Sequence, residues 1–292
     1  MTERDADILP PPAGILTTRK AIADLDRLWD RAVGTSGAPF RSDLDLRRAI
    51  GIHAHAHNAV QLARALLLMD QTGTQFAMVP TVRAVFEMGV TAAWLLLTPG
   101  SGDSLVKQGV AKRRIAQTEL IAYGVDATAA LDETEVALAE MDAVPGGNFQ
   151  SMCLALADGP GLYLTYRALS AESHAGLGIA DAYFVEAPDQ ELGIAFSPNE
   201  QLVPRDAYMG IAAAMLFLAV NADENARAKP THTTQLRKIA KRLGVGTEIA
   251  RSDGTTLGPR VNLDPEDATD PYPGVARARD PSGQRHTTPT ER

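Results

Sequence analysis

Apolar residues recur at steps of three and four along most of this chain, which is the spacing of helices that bury one face. In the first third, the repeat predicts helices over residues 15–33, from a cap at Ser42 or Asp43 to about Met69, and over residues 75–97. The third of these is apolar nearly all round, as a helix at the centre of a bundle must be.

The second half of the chain continues the helical pattern with one interruption. Helices are predicted over residues 104–123, 126–141, around Cys153, and over residues 162–174, 206–227 and 233–243. Residues 189–198 are short, contain glycine and are bounded by prolines, which favours one extended segment or a hairpin. Since no segment alternates strand with helix as a parallel sheet requires, the sequence predicts an all-α helical bundle.

Composition divides the chain into three parts: a flexible N-terminus over residues 1–14, a bundle domain over 15–250 and a tail over 251–292. From Ser252 onward, Pro, Gly, Asp, Thr and Arg replace the large apolar residues. Such a segment cannot bury enough surface to offset the entropy lost on ordering, so we expect the tail to be disordered.

Charge and cysteine content narrow the classes of function. The 292 residues carry 36 acidic and 28 basic side chains, and Cys153 is the single cysteine, which excludes an internal disulfide and a zinc site built on several thiolates. An acidic total argues against a broad nucleic-acid surface but leaves a local basic pocket open.

The N-terminus lacks the form of a secretory signal. Pro80, Arg83 and Glu87 interrupt the longest apolar stretch, so we expect a cytoplasmic protein without a membrane span.

The segment of residues 163–174 carries the first candidate site. On a helix, Arg167 and His174 lie about 20° short of two full turns apart and share a face with Tyr163 and Ser170. A fixed cation, a hydroxyl and an imidazole in line can hold an anion and move a proton. The alternative is structural: His174 caps the C-terminus of a helix and Arg167 pairs with an acid.

A second pair of charges lies in the apolar third helix. Arg83 and Glu87 are four residues apart and therefore face the same way. Because an isolated charge inside a bundle is costly, they must pair with each other or with polar groups of facing helices. Convergence with Arg167 and His174 on an interior site is one hypothesis, and an ion pair that fixes helix register is the other.

Three histidines lie close together on the second helix. His53 and His57 share a face and His55 points almost the opposite way, which gives at most two metal ligands on one side. The Glu that a zinc-protease helix carries after its first His is replaced by Ala54. We therefore assign no metal or cofactor, and expect His53 and His57 to join the polar interior near Gln61 and Arg64.

Residues 235–245 are typical of the first helix and turn of a helix-turn-helix. The helix that should follow has room for only a turn or two before Gly254, which is too short to enter a major groove. A basic surface helix that ends at a glycine cap explains the same residues, so DNA is a disfavoured partner.

Two spaced motifs carry a family resemblance. The segment from Thr81 to Glu87, with Trp94 after it, and the later segment from Tyr166 to His174 are similar to an uncharacterised family of helical bacterial proteins. That family shows an Arg-x-x-x-Glu helix and a Tyr-Arg-x-x-Ser-x-x-x-His helix. The likeness covers about residues 46–183 and implies an α-helical bundle without an established activity.

A more distant resemblance is to the HEPN superfamily, whose motif is an arginine followed after four to six residues by a histidine. Arg167 and His174, with six residues between them, fit this spacing, whereas Ala168 replaces a position that is commonly polar in active members. The resemblance implies a metal-independent ribonuclease that acts as paired protomers. His174 would then transfer a proton at the ribose 2′-hydroxyl and Arg167 would stabilise charge on the phosphate.

The sequence therefore supports three hypotheses. The first is a HEPN-like ribonuclease in stress or phage defence, with RNA as substrate, a homodimer as its assembly, and a site of Arg83, Glu87, Arg167, Ser170 and His174. His57 is a further candidate for that site. The second is a non-enzymatic interaction or small-ligand-binding module in which these residues are structural. The third is DNA binding through residues 233–252.

Overall fold

The computed structural model describes residues 14–34, 39–72, 75–141, 147–174, 183–196, 205–254 and 256. Its helices are α1 (Ile15–Gly34), α2 (Leu46–Thr72), α3 (Gln75–Leu97), α4 (Ser101–Ala122), α5 (Thr128–Ala139), α6 (Phe149–Leu154), α7 (Gly159–Ser173), α8 (Arg205–Ala226) and α9 (Thr233–Leu243). Two short strands, β1 (Phe184–Glu186) and β2 (Ile194–Phe196), pair antiparallel. The predicted all-α helical bundle is confirmed.

The centre of the bundle is formed by α2, α3 and α8. Phe86, Trp94 and Leu216 are almost completely buried there. The backbones of α3 and α8 approach so closely at Gly89 that an added Cβ would lie 2.6 Å from the carbonyl oxygen of Met215. A glycine at this position therefore sets the spacing of the two central helices.

The other helices pack around this centre. Helix α1 contacts α2 and α8, α9 contacts α1 and α8, and α6 and α7 cover α3. The cap of α2 differs from the prediction, because the carboxylate of Asp45 accepts from the backbone N–H of Arg48 at 2.9 Å. Asp43 instead receives the guanidinium of Arg41 at 2.9 Å, and so the helix begins a turn later.

Arg48 is a buried cation that the sequence did not single out. Its Nε and Nη2 donate to the carbonyls of Leu95 and Leu96 at 2.7 and 2.6 Å. These carbonyls belong to the last turn of α3, where no intrahelical donor is available. Burial lowers the pKa of the guanidinium, and the two carbonyls offset part of its lost hydration.

Two boundaries lie away from their predicted positions. The hairpin begins before the predicted 189–198, with β1 at Phe184–Glu186 and a turn in which Gly193 has a φ of 69°. Helix α7 begins at Gly159, because Pro160 occupies the first turn, where its missing N–H costs nothing. The predicted disordered tail and flexible N-terminus fall almost wholly outside the described residues. The backbone of Arg251 does pair with that of Leu156.

Helices α4 and α5 form an antiparallel pair that we call the arm. In α4 the buried residues are Ser101, Gly102 and Ser104, all at its start, and in α5 only Thr134 is buried. The remainder of both helices is exposed or half-buried, and α5 packs mainly on α4.

One described helical segment, Met78–Leu97, is long and apolar enough to span a bilayer, and 67% of it is buried within the protein. Central helices of soluble bundles share these properties.

Candidate functional site

The Arg83 cluster consists of Arg83, Glu87, Tyr166 and His174, and it joins α3 to α7. Arg83 and Glu87 lie one turn apart on α3, and Nε of Arg83 donates to Oε1 of Glu87 at 3.0 Å. Its Nη2 donates to the hydroxyl of Tyr166 at 3.3 Å, and the guanidinium carbon lies 5.3 Å from the centre of that ring. The sequence allowed the two α3 charges to pair with each other or with polar groups of a facing helix, and Arg83 does both.

His174 completes the cluster from the end of α7. Its Nε2 lies 3.0 Å from Nη1 of Arg83. A guanidinium nitrogen can only donate, so Nε2 is the acceptor and the ring proton is on Nδ1. The contact joins two of the predicted site residues that are 91 positions apart, and it brings a cation, an imidazole and a phenol together.

The Arg83 cluster is half-open. The side chains of Arg83 and Glu87 are 21% and 32% exposed, and His174 is exposed. Because solvent reaches these groups, the cluster lies at the edge of the α3–α7 interface, whereas the sequence predicted an interior site.

Arg167 and Ser170 do not join the cluster. Arg167 is exposed and its side chain has no hydrogen-bond or ion-pair partner among the described residues, and Ser170 is half-buried. Arg167 lies about 160° around α7 from the buried Leu169, so its side chain turns to solvent. Helix α7 ends at Ser173, and His174 follows it with extended backbone angles. The buried Leu169 marks the face of α7 that turns to the core, and Tyr166 lies one turn from it on that face. The apolar Leu169 could therefore have indicated, from the sequence, which face of α7 is buried.

A second polar cluster, the His53 cluster, joins α2 to α8 and contains His53, Asp223 and Arg227. Nδ1 of His53 lies 3.0 Å from Oδ1 of Asp223, and Nη2 of Arg227 lies 3.0 Å from Oδ2. Arg227 also covers the ring of Phe40 at 4.4 Å. Nδ1 of His53 also lies 2.9 Å from Nη2 of Arg227, so this one ring nitrogen faces both members of the ion pair. As a donor it would bind Oδ1 of Asp223, and as an acceptor it would bind the guanidinium.

The ion pair of the His53 cluster is more buried than that of the Arg83 cluster. The side chains of Asp223 and Arg227 are 6% and 18% exposed, while that of His53 is 40% exposed. The ring of His53 stacks on Trp29 with centroids 5.3 Å apart. The sequence pattern does not single out Asp223 and Arg227, because they come close to His53 only when α8 packs against α2.

The other residues of the α2 polar face contact α1. His57 accepts from the indole N–H of Trp29 at 3.2 Å, and Arg64 contacts Asp26 and Asp30 at 2.6 Å. His53 and His57 therefore share a face, as predicted, and His57 lies outside the Arg83 cluster. His55 turns to its own helix, where Nδ1 lies 2.7 Å from the carbonyl oxygen of Gly51.

Within the described part of the chain, no three His, Cys, Asp or Glu side chains are grouped so as to hold a metal ion. Cys153 is buried, and burial raises the pKa of its thiol to about 11, so at neutral pH it is not a thiolate nucleophile.

A polar cleft of about 410 Å³ lies between α8 and α9. Arg41 and Arg237 supply positive charge at its lining, and Glu224 and Glu248 supply negative charge. This mixture suits a small polar ligand that carries both signs of charge.

Helix α9 shows the packing of a surface helix. Leu236, Ile239 and Ala240 are buried, and Gly244 ends the helix with a φ of 70°. The described residues from Val245 to Gly254 form no second helix. The basic helix with a glycine cap is therefore confirmed, and the recognition helix of a helix-turn-helix does not form there.

No family model matches the chain, and neither a curated protein nor a solved structure matches it. Its function is therefore inferred from the chemistry of its own side chains.

Proposed function

We propose that the protein is a metal-independent ribonuclease whose catalytic residues are Arg83 and His174. The observation that carries this proposal is the 3.0 Å contact between Nη1 of Arg83 and Nε2 of His174 in a cluster open to solvent. A cation beside an acceptor nitrogen is what cleavage by a ribose 2′-hydroxyl requires. The proposal keeps the HEPN-like chemistry and replaces Arg167 with Arg83 as the phosphate-binding arginine.

The reaction begins when an RNA phosphate takes the place of His174 as the partner of Arg83 Nη1. Nε2 of His174 then accepts the proton of the 2′-hydroxyl, and the 2′-oxygen forms a bond to phosphorus. The bond between phosphorus and the 5′-oxygen breaks, and the leaving oxygen takes a proton from solvent. The products are a 2′,3′-cyclic phosphate and a 5′-hydroxyl, while Arg83 stabilises the additional negative charge of the transition state.

Glu87 and Tyr166 act as positioning residues in this mechanism. Glu87 holds Nε of Arg83 at 3.0 Å, and the hydroxyl of Tyr166 accepts from Nη2 at 3.3 Å. The two contacts leave Nη1 directed at the substrate, because they fix the plane of the guanidinium.

Incubation of the purified protein with mixed RNA, with and without EDTA, tests this function. We expect cleavage that survives chelation and leaves 2′,3′-cyclic phosphate ends. His174→Ala should abolish cleavage. Arg83→Lys should reduce it by about 10²-fold or more, as loss of a well-placed charge donor does in other enzymes.

Arg167→Ala is the matched control, because Arg167 is an exposed arginine of the same motif outside the Arg83 cluster. It should cleave RNA at the parent rate. Loss of cleavage in Arg167→Ala with full activity in Arg83→Lys would show that the sequence motif, and not the observed cluster, forms the site. Absence of cleavage by the parent protein at any concentration would remove the proposal.

The second candidate is a non-enzymatic small-ligand-binding module, in which the Arg83 cluster is structural. It is favoured by the partners of Arg83, since each of its three guanidinium nitrogens already has one within the protein. The binding site would then be the α8–α9 cleft. Thermal unfolding in the presence of each free amino acid tests this candidate: a rise in melting temperature that is lost in Arg237→Ala supports it, and no rise with any of them removes it.

A further inference from the structure

The arm carries a stripe of exposed residues that no described element covers. At alternating steps of three and four along α4 and its end lie Val106, Gly109, Arg113, Ala116, Leu120 and Tyr123. All six are exposed, with Leu120 at 46% and Tyr123 at 92%. This is the heptad spacing of a helix that packs along a second helix, and Gly109 and Ala116 allow close approach.

A row on α5 lies on the same side of the arm. Gln117 and Lys107 of α4 donate to the carbonyls of Ala130 and Met141, which fixes the side of α4 that α5 covers. At 100° per residue the α4 stripe lies about a quarter turn from that side. The α5 residues that lie a quarter turn from the contact in the same direction are Ala130, Glu133, Ala137 and Glu140.

Charge on this side of the arm is divided between the two helices. The α4 stripe contains Arg113, and the α5 row contains Glu133 and Glu140, all of them exposed. None of these three side chains has an ion-pair partner among the described residues. The surface is therefore complementary to itself when α4 of one copy meets α5 of another.

We infer that this side of the arm is the interface of a homodimer in which two arms form a four-helix bundle. A two-fold axis parallel to the arm helices places α4 of each copy against α5 of the other, antiparallel, with both arm tips at the same end. The alternative two-fold axis runs perpendicular to the helices, between the stacked faces. That axis places α4 on α4, which brings like charges together.

The distances of the charged residues from the tip of the arm, where α4 turns into α5, fit the arrangement with the two-fold axis parallel to the helices. With a rise of 1.5 Å per residue, Arg113 lies about 15 Å from the tip of the arm, whereas Glu133 and Glu140 lie about 8 and about 18 Å from it. Arg113 of one copy therefore reaches between the two carboxylates of the second copy, and the symmetry forms this contact twice.

The available area sets the strength of the dimer. An arm face about 33 Å long on α4 and about 18 Å long on α5 buries on the order of 1,000–1,200 Å² in total, at the lower end of specific interfaces. We therefore expect dissociation constants in the micromolar range. This inference does not depend on the ribonuclease proposal.

Sedimentation of the full chain over about 1–500 μM tests the dimer, since this range spans micromolar affinity. The parent should dimerise, and Arg113→Glu should raise the dissociation constant by at least about tenfold, because two symmetry-related contacts become repulsive at once. The double variant Arg113→Glu with Glu133→Arg should restore the dimer, since it exchanges the charges without removing the complementarity.

Two apolar variants of α4 separate the stripe from the rest of the helix. Leu120→Ser lies in the stripe and should weaken the dimer, whereas Ile115→Ser removes a residue that is 55% exposed but outside the stripe, and it should not. Circular dichroism of each variant verifies that helix content is unchanged. A parent that stays monomeric, or a dimer that is insensitive to Arg113→Glu and Leu120→Ser, would overturn the inference.

Discussion

The Arg83 cluster and the His53 cluster are built from the same kinds of residue. Each has an arginine and a carboxylate four positions apart, an aromatic ring against the guanidinium, and a histidine from another element. Arg227 is the residue directly after the end of α8. In the first cluster the histidine contacts the arginine and the carboxylate is 32% exposed. In the second the histidine contacts both the arginine and the carboxylate, and the carboxylate is 6% exposed.

This difference separates a stabilising contact from a reactive one. Burial makes the Asp223–Arg227 pair costly to disrupt, because either partner alone would be an uncompensated charge. Solvent at the Arg83 cluster lowers that cost and gives a ligand access to the arginine and the histidine. We therefore expect the His53 cluster to dominate stability and the Arg83 cluster to dominate chemistry.

The largest effect on stability is expected from Asp223→Ala. The change leaves Arg227 without its carboxylate in a nearly closed environment, which costs roughly 3–5 kcal/mol of unfolding free energy. The matched change in the other cluster, Glu87→Ala, should cost about 1 kcal/mol or less, because that pair is partly exposed. Urea unfolding of both variants measures the difference, and equal losses would break the comparison.

A smaller effect is expected from replacing each arginine with lysine. Arg227→Lys loses the two-pronged contact with Asp223 and the stacking on Phe40, so we expect a loss of about 1–2 kcal/mol. Arg83→Lys should lose less than about 1 kcal/mol, since its pair is partly exposed and the ring of Tyr166 is farther from the guanidinium. The same urea experiment ranks the two variants, and the reverse order would contradict the assignment of roles.

His174→Ala should change the unfolding free energy by no more than about 0.5 kcal/mol, as substitutions at exposed positions usually do. Its expected effect on RNA cleavage is large, so a single variant separates function from stability. If thermal unfolding instead shows a loss of stability comparable to that of Asp223→Ala, His174 has a structural role and the second candidate function gains support.

The smallest effect concerns His55, the histidine of α2 that belongs to neither cluster. Burial lowers its pKa below the ordinary value of 6.5, although its bond to the carbonyl of Gly51 opposes the shift. The unfolded chain therefore binds a proton first as pH falls. The contribution of His55 to the unfolding free energy is fully present above pH 6.5. It is lost as the pH falls from 6.5 through the lower pKa of the folded state.

Unfolding free energies of the parent and of His55→Gln at pH 8, 7, 6 and 5 measure this contribution. The parent should lose more stability than the variant between pH 7 and pH 5. Parallel curves for the two proteins would show that His55 is equally solvated in the folded and unfolded states.

Local sequence determined the helices and several of their ends. The all-round apolar pattern of residues 75–97 predicted α3 with the bounds that it has, because a central helix meets other helices on every side. The steps of three and four placed α1 and α9 within one residue of their observed bounds. The i,i+4 spacing of Arg83 and Glu87 likewise determined their contact, since four residues span about one turn.

Tertiary structure decided what these local features meet. No spacing rule relates Arg83 to His174 across 91 positions, or His53 to Asp223 across 170, because such pairs depend on how helices dock. The docking of α7 on α3 left Arg167 outside the site, since the helix packs with the face that carries Leu169 and Arg167 lies nearly opposite that face. Period and composition set the helices by themselves, whereas docking and burial decided which polar groups became partners and which stayed open to solvent.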